Sequence, residues 1–199
     1  MLEAATHYTQ LGKHAEQFAA FLTFAALDPG ETFTVKELAQ ATIALPIEGL
    51  QSAAQTLVRA LEGAGEQRWD YWHHRVLPYF RLIWPKTINV STPAVSENLA
   101  RLCIADRAVF PEAFDHLKHW LKPVSHPNYL IDRLLGSTLC RELPADALAF
   151  LNTIIGDDAQ WLPQELRQCL EEIQNADVTL AKDKRHVRLT DLLQRRGIS

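Results

Sequence analysis

The sequence predicts an all-α chain, an array of antiparallel helical hairpins (an α-solenoid) with no significant sheet. Three observations carry this. Four prolines, Pro46, Pro78, Pro111 and Pro144, recur at intervals of 32, 33 and 33 residues, each behind a large apolar residue (Leu45, Leu77, Phe110, Leu143). A period near 33 suits a stack of helical hairpins, in which each unit buries its apolar stripe only against its neighbours. Apolar side chains also return at three- and four-residue steps, which places them on one helix face. Finally, no segment alternates apolar and polar residues over a useful strand length. The period speaks to architecture and not to chemistry.

The elements follow in order. Residues 5–27 read as one helix, with Leu11, Phe18, Leu22 and Ala25 on helical spacing, stopped by Asp28-Pro29-Gly30. Thr34-Val35-Lys36-Glu37 is a capping-box pattern, in which hydroxyl and carboxylate satisfy orphan amide donors reciprocally; it starts a short helix ending near Ala44. Pro46 opens a helix to about Glu62, since a first-turn proline forfeits no hydrogen bond, and Gly63-Ala64-Gly65 breaks it. The aromatic run 66–84 is a helix that Pro78 must kink or split, because proline removes a donor and strikes the preceding turn. Pro85 ends it. Ser91-Thr92-Pro93 starts a helix with Val95, Leu99, Leu102 and Cys103 on one stripe; Pro111 starts another carrying Phe114, Leu117, Trp120 and Leu121. Pro123 and Pro127 bracket a loop before a helix from Tyr129 to Leu139. Pro144 opens Ala145 to Ile155, closed by Gly156. Pro163 opens Gln164 to Gln174, and a last helix runs from about Lys184 to Arg196. These make one all-α domain over 1–199, with a helical segment 1–63 packed on a repeat array over 64–199.

Composition sets the bounds. Hydrophobic residues at 47% with 22% charged suffice for a buried core and leave no room for bulk disorder. A net charge of −4 argues against a protein built to bind nucleic acid. The charge is uneven: residues 1–181 carry 14 Lys/Arg and 22 Asp/Glu, net −8, whereas 182–199 carry six and two, net +4. Cations near the end of the last helix suit exposed carbonyls with partial negative charge. Cys103, Cys140 and Cys169 are widely spaced among apolar neighbours and read as small core residues in a reducing compartment. No signal peptide is visible, and the longest apolar run, Phe18 to Leu27, is too short to span a bilayer. The expectation is a cytoplasmic protein without a membrane segment.

Two resemblances accompany these features. The proline-opened apolar stripes resemble HEAT-like arrays of degenerate helix pairs; the ankyrin Thr-Pro-Leu-His signature is absent and the tetratricopeptide pattern does not align across units. The run Glu62-Gly63-Ala64-Gly65-Glu66-Gln67-Arg68, with Tyr71-Trp72, Ile83-Trp84-Pro85, Phe110-Pro111, Leu121-Lys122-Pro123 and the closing Leu192-Leu193-Gln194-Arg195-Arg196-Gly197, resembles the C-terminal helical regions of large bacterial multidomain proteins. Such regions accompany nucleotide-handling or defence-type domains. The second resemblance implies a non-catalytic portion of such an architecture and brings no catalytic motif.

The candidate site is the aromatic helix. Arg68, Trp69, Trp72, Arg75 and Tyr79 lie at steps of three and four, interleaving rings with guanidinium groups, a composition enriched at interface hot spots. The competing assignment places these rings in the core between helices. Phe33 to Glu62 has the outline of a helix-turn-helix, but its second helix offers only Gln51, Gln55 and Arg59 to a nucleic acid, with Glu48 and Glu62 opposing. Asp115 and His119 share a helix face with metal-site spacing but lack a third ligand, so they read as surface, as does His116. Adjacent His73 and His74 diverge by about 100° around a helix. No P-loop, GxSxG or HExxH occurs, and no metal or cofactor is expected. The sequence therefore points to a non-catalytic protein-interaction or scaffolding domain, with a protein partner or self-association. The alternative is a nucleic-acid-binding regulator using the 33–62 hairpin and the basic C-terminus.

Overall fold

The computed structural model describes residues 14–28, 33–84, 92–159 and 162–197, and every regular element among them is helical. The α-helices are α1 (Ala15–Leu27), α2 (Val35–Ile43), α3 (Ile47–Gly63), α4 (Arg68–Tyr71), α5 (Leu77–Ile83), α6 (Pro93–Cys103), α7 (Phe110–Leu117), α8 (Asn128–Gly136), α9 (Leu139–Glu142), α10 (Pro144–Ile154), α11 (Glu165–Ala176) and α12 (Lys184–Arg195). The expected start of the first helix with Leu11, its stop at Pro29-Gly30, and the signals at Pro85 and Ser91 lie outside the described residues.

Local rules place most boundaries. Thr34 caps α2: its hydroxyl accepts from the Glu37 amide at 3.2 Å while Glu37 accepts from the Thr34 amide at 2.9 Å. Thr92 caps α6 by accepting from the Val95 amide. Three of the four periodic prolines stand at helix starts: Pro46 is the residue capping α3, Pro111 is second in α7 and Pro144 is first in α10, while Pro78, second in α5, follows directly on earlier helical turns. A proline at a helix start forfeits no intrahelical bond.

Three boundaries differ from the sequence expectation. Pro78 does not split its helix. The backbone runs on from Gly65 to Ile83 by widening over Trp72–Val76 into a π-turn, where the Leu77 amide reaches back five residues to the Trp72 carbonyl. The wider turn relieves the clash that a pyrrolidine ring imposes on an α-turn. Helix α7 stops at Leu117, so Trp120 and Leu121 are buried from the turn that follows. Helix α8 ends at Gly136, because Thr138 takes a left-handed conformation (φ 65°). That geometry is costly for a β-branched residue; the Thr138 hydroxyl donates to Glu142 at 2.9 Å.

Packing joins these helices around one continuous apolar cluster running from Ala19 to Leu193. Helix α1 rests on α2 and α3, α2 on α5, and α3 meets α6 with its other side. Helix α11 touches α8, α9, α10 and α12. Phe110 and Phe114 of α7 set their rings edge-on to Phe150 of α10, at 5.8 Å each. Arg133 of α8 pairs with Glu62 of α3 at 2.9 Å, a polar tie between the early and late helices. Cys103, Cys140 and Cys169 are buried and unpaired. Burial pushes the Cys103 thiol up, and hydrogen bonding to Cys140 raises Cys169, so neither is a thiolate nucleophile. No described helix is long and apolar enough to cross a membrane.

Candidate interaction surface

The helical run 65–83 distributes its aromatic residues between core and solvent. Trp72 and Tyr79 are wholly buried, which removes both from the predicted partner surface. The physical reason is location: the π-turn lies against α1 and α3, and α5 lies against α2. Trp72 fills the core with its indole N–H unpartnered among the described residues. Tyr79 instead carries a polar tie. Thr42 donates its one hydroxyl hydrogen to the Leu38 carbonyl at 2.9 Å, so at the 2.7 Å contact between Thr42 and Tyr79 the phenol must be the donor. The Thr23 hydroxyl, 3.4 Å away, then donates to the Tyr79 oxygen. One phenol thereby joins α1, α2 and α5, and burial raises its pKa despite these two hydrogen bonds.

Arg68 is also structural. Its guanidinium donates to the Glu62 carbonyl at 3.1 Å and pairs with Asp106 at 3.3 Å. It thus answers the negative end of α3. Of the five predicted residues, Trp69 and Arg75 remain exposed. Trp69 is 48% exposed and packs on the His73 ring with centroids 4.1 Å apart. His73 bridges inward, with Nδ1 2.8 Å from the Trp69 carbonyl and Nε2 2.5 Å from a Glu112 carboxylate oxygen on α7. His116 stands one helical turn beyond Glu112, its Nε2 3.2 Å from Arg81. His74 faces solvent, so the adjacent histidines diverge. Asp115 pairs with Lys118 at 2.6 Å, and His119 is exposed, edge-on to Trp120. Among the described residues no group of three or more His, Cys, Asp or Glu side chains has metal-holding geometry.

The strongest exposed apolar feature lies on α1 and was not singled out from the sequence. Helix α1 buries Ala15, Ala19, Leu22 and Ala26 on one side and carries Phe21 and Phe24, 66% and 54% exposed, on the other. His14, Gln17, Phe18 and Phe21, at three- and four-residue steps, line a shallow hollow of about 290 Å³. The available signal was that apolar residues occur all round this helix, a pattern usual in fully buried helices.

Two features bear on the nucleic-acid alternative. The would-be recognition helix, α3, is packed between α1 and α6 and buries Leu50, Ala53, Ala54, Leu57, Val58 and Leu61. Little of it is free to enter a groove. The basic C-terminal residues are not gathered at the end of their helix. Arg195 is in the last turn of α12, whereas Lys184, Arg185 and Arg188 lie in its first half. Asp183 holds that start: its carboxylate accepts from the Arg185 amide at 2.8 Å and is gripped by the Arg185 side chain at 2.7 and 2.9 Å. These bonds lower the Asp183 pKa to about 2. Arg188 answers a different helix, donating to the Asn152 and Ile155 carbonyls at 3.1 and 2.9 Å where α10 ends. The attraction between cations and terminal carbonyls holds, but across helices.

Comparison with protein-family models, curated proteins and solved structures finds no match to this chain.

Proposed function

We propose that the chain is a non-catalytic protein-interaction domain whose helical hairpins stack as a short HEAT-like array. The observation that carries this reading is the second apolar face of α1, where Phe21 and Phe24 stand more than half exposed beside a fully buried first face. Exposed aromatic side chains supply large contact area at low entropic cost and anchor protein interfaces. Trp69, held against His73, is a second aromatic anchor on the same reading. The array arrangement is supported by the proline-opened helices and by the packing of α1 on α3, α3 on α6 and α6 on α7. The polar groups of the aromatic helix favour scaffolding over chemistry, because Arg68, His73 and Tyr79 are engaged in ties between helices.

The test is a photo-crosslinking residue placed at Phe21, at Phe24 and, for comparison, at Glu171 on the exposed surface of α11. Reproducible crosslinks to one defined protein, or to a second copy, from the α1 positions and not from Glu171 are expected. The double variant Phe21→Ser/Phe24→Ser should keep its melting temperature and lose the corresponding association in sedimentation. A large fall in stability, with no change in association, would reassign this face to the core and remove the basis of the proposal.

A further inference from the structure

Beyond the α1 face, the surface of α12 has a distinct chemistry. Lys184, Val187, Arg188, Asp191, Leu192 and Arg195 occupy positions i, i+3, i+4, i+7, i+8 and i+11, a single stripe along the helix, and all line one cleft. Lys182, from the 3₁₀ turn Val178–Lys182, and Asp157, beyond the end of α10, complete an open groove of about 450 Å³. The cleft therefore holds four cations and two carboxylates on a chain whose net charge is −4.

The cations are not equivalent. Arg188 is committed, pairing with Asp157 at 2.6 Å and capping α10. Lys182, Lys184 and Arg195 carry no ion pair or side-chain hydrogen bond among the described residues. Val187, 45% exposed, adds apolar surface between them, and the buried Leu192 lies at the base of the cleft. Lys184 and Arg195 are eleven residues apart, a span of about 16 Å at 1.5 Å per residue. One small anion cannot bridge that distance, whereas about five residues of extended chain can.

We propose that this cleft receives an acidic peptide segment of a partner protein, with carboxylates on Lys182, Lys184 and Arg195 and an aliphatic side chain against Val187. A single-stranded nucleic acid would match the cations but needs stacking platforms for its bases, and no aromatic residue lines the cleft. Asp157 and Asp191 further oppose a continuous phosphate backbone.

The test uses fluorescence anisotropy with a fluorescein-labelled eight-residue peptide of six Glu/Asp and two Leu. The same peptide with Gln and Asn for the acids, and a labelled oligothymidylate, serve as comparison probes. The acidic peptide should bind saturably and weaken with added salt, while the neutral peptide should not bind. Lys182→Glu/Lys184→Glu and Arg195→Glu should each weaken binding at least tenfold while retaining the wild-type circular dichroism, and Phe21→Ser/Phe24→Ser should leave it unchanged. Absence of saturable binding overturns the proposal, as does affinity untouched by these charge reversals. Tighter binding of the oligothymidylate at the same salt assigns the cleft to nucleic acid and overturns it equally.

Discussion

Tyr79 donates its phenolic hydrogen to Thr42 across 2.7 Å of buried space, linking residues 37 apart in sequence. Neither hydroxyl has solvent to fall back on, since both residues are fully buried. Leaving one of them unpaired therefore carries a desolvation penalty, not just the loss of one bond.

Thr42→Val should destabilise the fold by about 1–3 kcal/mol, because the phenol loses its acceptor while remaining buried. Tyr79→Phe removes the donor and should cost less, about 1 kcal/mol. Urea unfolding of the two single variants and the double variant should give a non-additive pair. Strict additivity would show that the two hydroxyls do not interact.

The same phenol sets an alkaline limit. Its pKa is raised in the folded protein, so above the ordinary tyrosine range near pH 10 the unfolded chain releases a proton that the folded chain retains. Stability must then fall as pH rises through that range. Tyr79→Phe should show a shallower decline, measured as chemical-denaturation midpoints between pH 9 and 11.

The acid limb has the opposite sign. Asp183 titrates at about 2 in the folded chain against 3.8 ordinarily. Its stabilisation is thus complete above the ordinary value and is lost as pH falls toward 2. Asp183→Asn keeps a capping acceptor but does not titrate, so its acid unfolding curve should be flatter over that interval than the wild type.

Trp72 and Trp69 separate core from surface. Trp72→Ala should cost about 3–5 kcal/mol through lost burial and a cavity. Trp69→Ala should cost well under half of that and should instead reduce association. Thermal unfolding and sedimentation of the two variants check both statements.

Arg188→Ala should destabilise by more than an ordinary surface substitution, since the carbonyls of Asn152 and Ile155 lose their donor and Asp157 its partner. Arg188→Lys should rescue little, because an ammonium lacks the planar fork that reaches three sites. Amide exchange in the last turn of α10 should quicken in both variants.

Local chemistry was legible in the sequence, and long-range chemistry was not. The Thr34–Glu37 box, the helix-opening prolines and the ends of α3 and α12 depend on residues within one helical turn of each other. The Tyr79–Thr42 bond, the Arg188 cap on α10 and the Arg68 cap on α3 depend on which helices meet. Composition records that cations favour helix C-termini but not whose terminus a given arginine reaches. The division of α1 was hidden for another reason: with apolar residues all round, periodicity cannot choose which side faces inward. Trp72 and Tyr79 have the residue types of an interface hot spot, and those same types fill cores.

The widened turn at Trp72–Val76 acts as an angular offset between two ends of one rod. Trp69 and Tyr79 are ten residues apart, which in an unbroken α-helix would leave their side chains about 80° apart. A π-turn absorbs about one residue without advancing the helix by that residue's 100°, and the separation becomes about 180°. One ring can then look outward while the other seals the seam between α1, α2 and α5. A single-residue deletion inside this turn would remove the residue it absorbs and leave the two rings opposed on a regular α-helix, whereas straightening the turn at unchanged length would swing one ring by about 100° relative to the other.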